Sequence, residues 1–469
     1  MSVPDKESSD VMTAEPAPAR SGQLDPIPLE STLGEGLSGE SGRTPGERRP
    51  RLRSGLSYTL LGPAFVAAIA YVDPGNFATN VQAGATFGPL LLWVLLTANV
   101  VAMLLQYLSA KLGVATGKSL PELCRARYRR PVVWGLWVQA EAVVVMTDLA
   151  EVVGGAIALY LLFGLPLWLG GVVVGAVSLL MMPMRGRGRR RFEVLMAVGL
   201  TSLLGLFLGQ VIGAGAPLAT VADGLLPGLS GTESLVLAGG IVGATVMPHV
   251  IYLHSALTSD RYNLSLLPGA VGPAQGPVDD PDRPLRHRLL RHIRTDVLVA
   301  MVLAGAVNVA LLVSAATLFY PGTPEAADSL GAAHDAYGRL VGPAVALAFA
   351  LALLVSGLAG TSVGMYAGEV VMGGFLGRRI PVLLRRLLTM TPAIVVLAAG
   401  ADPTESLVLS QIILSFGIPF ALIPLVLLTR DADVMGRWVN RRVTTYCAWA
   451  VSVVVVALNV ALLASVFAG

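Results

Sequence analysis

Apolar residues run along this chain in blocks too long to lie on the surface of a soluble protein. Eleven such blocks stand at about 58–81, 89–112, 132–162, 166–184, 193–214, 235–258, 295–319, 341–375, 381–400, 405–429 and 444–468. Crossing a bilayer as a helix takes roughly 20 apolar residues, so the pattern predicts an all-α polytopic membrane protein with eleven transmembrane helices. Composition agrees. Hydrophobic residues make up 54% of the 469 and charged residues only 13%, against about a quarter charged in soluble domains.

Two features lie outside the blocks. Residues 1–55 are rich in Pro, Ser, Gly and Glu and hold no apolar core segment. They predict a disordered tail with no cleavable signal peptide. Basic residues are placed just as unevenly. With the N-terminus inside, the tail and the segments near 111–131, 185–191, 259–294, 376–386 and 430–442 hold 32 of the 33 Lys and Arg, and only Arg339 falls elsewhere. That one-sided split predicts a cytoplasmic (or bacterial inner) membrane location, with the N-terminus in the cytoplasm and the C-terminus outside. The basic residues therefore report topology, with the lipid bilayer as the surrounding partner and no nucleic acid. Cys124 and Cys447 fit no metal or disulfide spacing and read as free thiols.

Two blocks carry helix breakers at mid-membrane. The first contains "DPGN" around Pro74 and the sixth "MPHVIYLH" around Pro248. Each proline lacks an amide donor and clashes with the preceding turn, so each block is expected to break there. The breaks are five helices apart, and an odd number makes the second unit enter the membrane from the opposite side. This spacing predicts an inverted repeat, with helices 1–5 over 56–214, helices 6–10 over 215–430 and an additional helix over 431–469. In such folds substrate binds where the discontinuous helices meet.

A carboxylate at bilayer depth costs about 2.5–3.5 kcal/mol, so Asp73 needs a partner or a task. Asn76 stands three residues on, and the second break offers the Ala244 carbonyl and the Met247 thioether. Oxygen donors with one sulfur describe a cation site. An Asp capping the second half of the broken helix is the plainer alternative, and the two roles are compatible.

"DPGN" and "ATVMPHVIYLHS", with "TDLAEVVGGAIAL", "MYAGEVVMGGFL" and "SQIILSFGIPFALIPL", resemble the Nramp family of divalent transition-metal/proton symporters. The resemblance covers about 55–430. It implies a LeuT-type 5+5 inverted-repeat fold and import of Mn²⁺, Fe²⁺ and similar ions. It also implies a ligand set of Asp73, Asn76, the Ala244 carbonyl and Met247, joined by Gln411 as the site occludes. The chain departs from the family pattern at Val250, where Asn is usual, and at Leu358 and Glu369, where Gln is usual. These changes leave the ligands intact and bear on how the surrounding helices close.

A second polar track lies on helix 3. At 100° per residue, Glu141, Asp148 and Glu151 fall within roughly an 80° sector of one face. Either they form salt bridges to Arg385 or Arg386, or they carry protons with an arginine and His249 nearby. The family's corresponding residues serve proton transport, which favours the second role. His249 and His254 stand five residues apart, about 140° around a helix, and no His-Glu-x-x-His occurs, so a metalloprotease is rejected. No phosphate-binding Gly loop is present. A non-enzymatic carrier driven by the proton gradient is therefore expected, with metal ions and protons as its cargo, no cofactor and no obligate protein partner. A magnesium carrier is disfavoured by Met247, an amino-acid carrier by Asp73, and a transport-free scaffold by the buried acids.

Overall fold

The computed structural model describes residues 62–181, 189–213, 215, 218–262, 283–378 and 380–468. The tail over 1–55 and much of the basic segments near 185–191 and 259–294 lie outside them. Among the described residues the regular structure is helical and no strand occurs. We label α1 (Pro63–Ala70), α2 (Pro74–Phe87), α3 (Leu92–Thr116), α4 (Leu120–Arg127), α5 (Arg130–Phe163), α6 (Leu167–Met181), α7 (Arg189–Gly213) and α8 (Gly231–Thr245). There follow α9 (Pro248–Tyr262), α10 (Arg283–Leu318), α11 (Leu330–Leu340), α12 (Pro343–Leu376), α13 (Val382–Ala398), α14 (Pro403–Arg430) and α15 (Arg442–Ala468).

Eight helical stretches among the described residues are long and apolar enough to cross a bilayer. A count of eleven further requires α1 with α2 to cross apart from α3, and the shorter α6 and α13 to cross as well. Burial sorts the helices into centre and rim. The most apolar window is 83% buried in α5 and in α8–α9, but 28% buried in α15 and 33% in α7. Val453, Val454 and Val460 of α15 and Leu383, Leu387 and Leu388 of α13 are exposed, as a lipid-facing surface requires.

The helix breaks fall at the two prolines. α1 ends before Tyr71, and α2 opens at Pro74 with Asp73 as its cap, Oδ1 accepting the Asn76 amide at 2.8 Å. α8 ends at Thr245, and Val246 and Met247 link it to α9, which opens at Pro248. Backbone groups freed at such a break must be re-satisfied, because lipid offers no donors. Side chains from the second half of the chain do this. Asn308 Nδ2 donates to the Tyr71 carbonyl at 2.7 Å, and Ser356 Oγ donates to the Val72 carbonyl at 2.5 Å. Asp296 of α10 accepts the amides of Gly62 and Ala64 at 3.1 Å each, capping α1 from a neighbouring helix.

Small residues set the approach of the helices around the breaks. A Cβ on Gly75 would fall on the Gln411 amide, one on Gly243 on the Gln411 carbonyl, and one on Gly154 on the Pro74 ring. α14 and α5 can thus lie against the two broken segments only because these positions carry no side chain. Both cysteines are free, Cys124 buried in α4 and Cys447 exposed. Burial pushes the Cys124 thiol up to about 12, so it stays protonated and unreactive.

Asn308→Ala removes the cap on Tyr71 and also the partner of Asn80 Nδ2, which donates to Asn308 Oδ1 at 3.2 Å. Leaving a buried polar group unsatisfied costs about 1–3 kcal/mol, so the variant should unfold at a clearly lower temperature in detergent. An unchanged midpoint would contradict the capping account.

Candidate functional site

The two breaks meet through the side chain of Asn76. Its Nδ2 donates to Asp73 Oδ1 at 2.8 Å and, across the gap, to the Ala244 carbonyl at 2.9 Å. Gln411 Nε2 of α14 reaches Asp73 Oδ2 at 3.4 Å. Asp73, Asn76, Ala244, Met247 and Gln411 are all buried. Met247 lies on the non-helical link between α8 and α9. Of the five residues singled out in the sequence, four are thus joined by hydrogen bonds, and Met247 sits in the adjoining backbone break.

The polarity of this cluster is lopsided. A carboxylate and a backbone carbonyl share one amide donor group, while Asn76 Oδ1 and Gln411 Oε1 are buried without a donor. Buried polar atoms left so are uncommon and call for an explanation. Turned end for end, either amide would bring its oxygen among acceptors, which only a positive charge can hold together. The donors are oxygens of a carboxylate, amides and a carbonyl, a set suited to a divalent cation. Among the described residues, no group of three or more His, Cys, Asp or Glu is placed to hold a metal ion.

Both arginines are engaged on the helix-3 track, one acid each. Arg386 Nη1 bonds Asp148 Oδ1 at 2.8 Å, with both side chains almost wholly buried, and its Nε donates to Ser178 Oγ at 3.1 Å. Arg385 Nη2 bonds Glu141 Oε2 at 2.8 Å in a more accessible position. α12 makes room for these groups. A Cβ on Gly360 or Gly364 would press on the Glu151 carboxylate, and one on Gly368 would strike the Arg385 guanidinium. His249 ties the track to the break, its Nδ1 lying 3.1 Å from the hydroxyl of Thr147, the residue before Asp148. His254 turns instead to α3, where its Nδ1 lies 2.7 Å from Gln106 Oε1. The two rings serve different helices.

With this geometry in hand, residues 64–465 match the model of the family described as natural resistance-associated macrophage protein-like. The chain belongs to this family. A relative from Mycobacterium tuberculosis (strain CDC 1551), the divalent metal cation transporter MntH, is 51% identical over 409 residues, spanning 87% of this chain and 91% of the relative. The Eremococcus coleocola manganese transporter matches with a TM-score of 0.72 at 30% identity, covering 85% of each chain. Mhp1, a nucleobase-cation-symport-1 family transporter, matches at 17% identity with a TM-score of 0.56 over 85% of this chain and 87% of its own. At that identity only the fold is shared, and it is the LeuT-type fold of the Nramp chain.

Several residues of this Nramp protein that shape the site escaped the sequence reading. Asn308, Ser356 and Gln106 are polar residues inside apolar blocks, the signal that drew attention to the acids. Gly357, Gly360, Gly364 and Gly368 recur at three- and four-residue spacing, one face of a helix. Of the departures from the family pattern, Val250 is fully buried on α9 and Leu358 is half-buried beside an apolar cavity.

The Arg386–Asp148 pair yields a sharp expectation. Arg386→Met strands a buried carboxylate and should cost about 3–5 kcal/mol, whereas the double variant D148N/R386M removes both charges and should recover much of the loss. Thermal unfolding in detergent measures both. A single variant as stable as the parent, or a double variant no better than the single, would contradict the pairing.

Proposed function

We propose that this Nramp chain imports divalent transition-metal ions, Mn²⁺ and Fe²⁺ among them, across the cytoplasmic membrane in symport with protons, by alternating access. The observation that carries the reading is the joining of Asp73, Asn76, the Ala244 carbonyl and Gln411 at the two helix breaks, with two amide oxygens left without donors. An ion there would draw in both amide oxygens, the Asp73 carboxylate, the Ala244 carbonyl and the Met247 sulfur. The names of the relatives, a divalent metal cation transporter and a manganese transporter, point the same way.

Proton coupling rests on the helix-3 track. Asp148, Glu151 and Glu141, with Arg385, Arg386 and His249, form a buried polar path that starts beside the metal site without sharing its ligands. Such intramembrane chains of ionisable groups are suited to relaying protons. The two five-helix units over 56–214 and 215–430 then supply the moving halves, with the segment over 431–469 outside them. The one-sided basic residues orient the N-terminus inward and the C-terminus outward.

Selectivity against Mg²⁺ and Ca²⁺ falls to Met247. Those ions are hard and satisfied by oxygen, whereas a thioether is an acceptable ligand for softer transition metals. A 1.4 kcal/mol preference already gives about tenfold discrimination.

Uptake into proteoliposomes tests both assignments, with Mn²⁺, Fe²⁺, Mg²⁺ and Ca²⁺ compared. Asp73→Asn keeps the size of the side chain but removes the charge, and Mn²⁺ uptake should collapse in a protein that still inserts. Wild-type uptake by that variant would sink the metal site. Met247→Ala should retain Mn²⁺ uptake at reduced affinity and begin to admit Ca²⁺ or Mg²⁺. An active Ala variant that still excludes both hard ions would defeat the role given to sulfur.

A further inference from the structure

A polar cavity of about 680 Å³ opens among α4, α9, α12 and α13, on the face that carries the basic segments. Its wall reaches Arg385, the arginine that holds Glu141 at the end of the helix-3 track. Three carboxylates line it, and their situations differ. Glu122 is committed to capping α4, its Oε2 accepting from Ser119 N and Oγ at 2.7 Å each. Asp260 on α9 accepts the Tyr366 hydroxyl at 3.2 Å. Glu369 is half-buried and has no hydrogen bond or ion pair among the described residues. It is also a position at which the chain departs from the family pattern.

The cationic groups around Glu369 are few. Arg125 of α4 spends its Nη1 on the Gly373 carbonyl at 3.2 Å, and Arg378 is exposed beyond the end of α12. Arg385 lines the same cavity as Glu369, and its guanidinium lies against Gly368 of the helix that carries Glu369. A partly desolvated carboxylate that shares a polar cavity with a guanidinium already serving another acid is a natural way-station for a proton.

We propose that Glu369 is a proton-relay residue, taking protons from the Glu141–Arg385 pair and passing them to the solution on the inner face. This rests on the proton-symport reading above. When Glu141 carries a proton its pairing with Arg385 is weakened. The proton then passes through cavity water to the Glu369 carboxylate, Glu141 regains its charge and re-pairs with Arg385, and Glu369 releases the proton to inner water. Both acids end as they began, and one proton has moved. Glu122 and Asp260 are held by their hydrogen bonds in capping and tying roles, which leaves Glu369 for the transfer.

The test uses the full chain in proteoliposomes with Mn²⁺ as cargo and an internal pH dye, comparing the parent with Glu369→Gln and Glu369→Asp. The Gln variant should lose about tenfold or more of its Mn²⁺-driven proton entry while keeping the parent KM for Mn²⁺, and Asp should restore most of the flux. Proton entry in Glu369→Gln that matches the parent in size would overturn the relay. So would equal loss of metal uptake and proton entry without rescue by Asp, which marks a structural role. Absence of Mn²⁺-driven proton entry in the parent would overturn the symport reading itself, and the relay with it.

Discussion

Everything in this molecule follows from the need to satisfy polar groups where water is absent. A bilayer-spanning helix normally closes its own backbone bonds, and breaking it at Pro74 and Pro248 exposes carbonyls that lipid cannot pair. The protein resolves this by lending side chains from other helices. Asn308 and Ser356 take the carbonyls of Tyr71 and Val72, Asp73 caps the helix that restarts, and Asn76 spans to Ala244. Asn308 and Ser356 come from helices far along the chain, so the breaks knit the bundle together. Among the buried groups still left without a partner are two amide oxygens beside one carboxylate, those of Asn76 and Gln411.

The same economy governs the charges. Asp148 and Arg386 are both almost completely buried, and neither could lie there alone. On α12, Gly360 and Gly364 leave room for the Glu151 and Asp148 carboxylates where side chains would otherwise stand. The polar cluster at the breaks and the charge track are joined by the contact between His249 and Thr147. Asp148 therefore sits one residue from a group bonded to the broken helix, close enough for electrostatic coupling in a medium of low dielectric.

Much of this was legible in the sequence, and for physical reasons. Apolar blocks bounded by one-sided basic residues are direct consequences of the bilayer, and prolines within them mark the breaks almost to the residue. Asp73, Asn76, Ala244 and Gln411 could be grouped because the breaks and the family pattern coincide. The pairing of Arg385 with Glu141 and of Arg386 with Asp148 was not legible, since adjacent residues on a helix diverge by 100° and their rotation is set by packing. Nor were the remote caps Asn308, Ser356 and Asp296, because they answer needs created hundreds of residues away. The separate crossings of α6 and α13 rest on helices shorter than the usual span, where apolar runs alone are weak evidence.

The account stands or falls on where the cation sits. Crystals of the protein soaked in Mn²⁺ and measured at the manganese absorption edge would report that position directly, independent of transport. The account predicts one anomalous peak at the junction of the two breaks, bounded by Asp73, Asn76, the Ala244 carbonyl and Met247. A peak elsewhere in the bundle, with none at that junction, would contradict it.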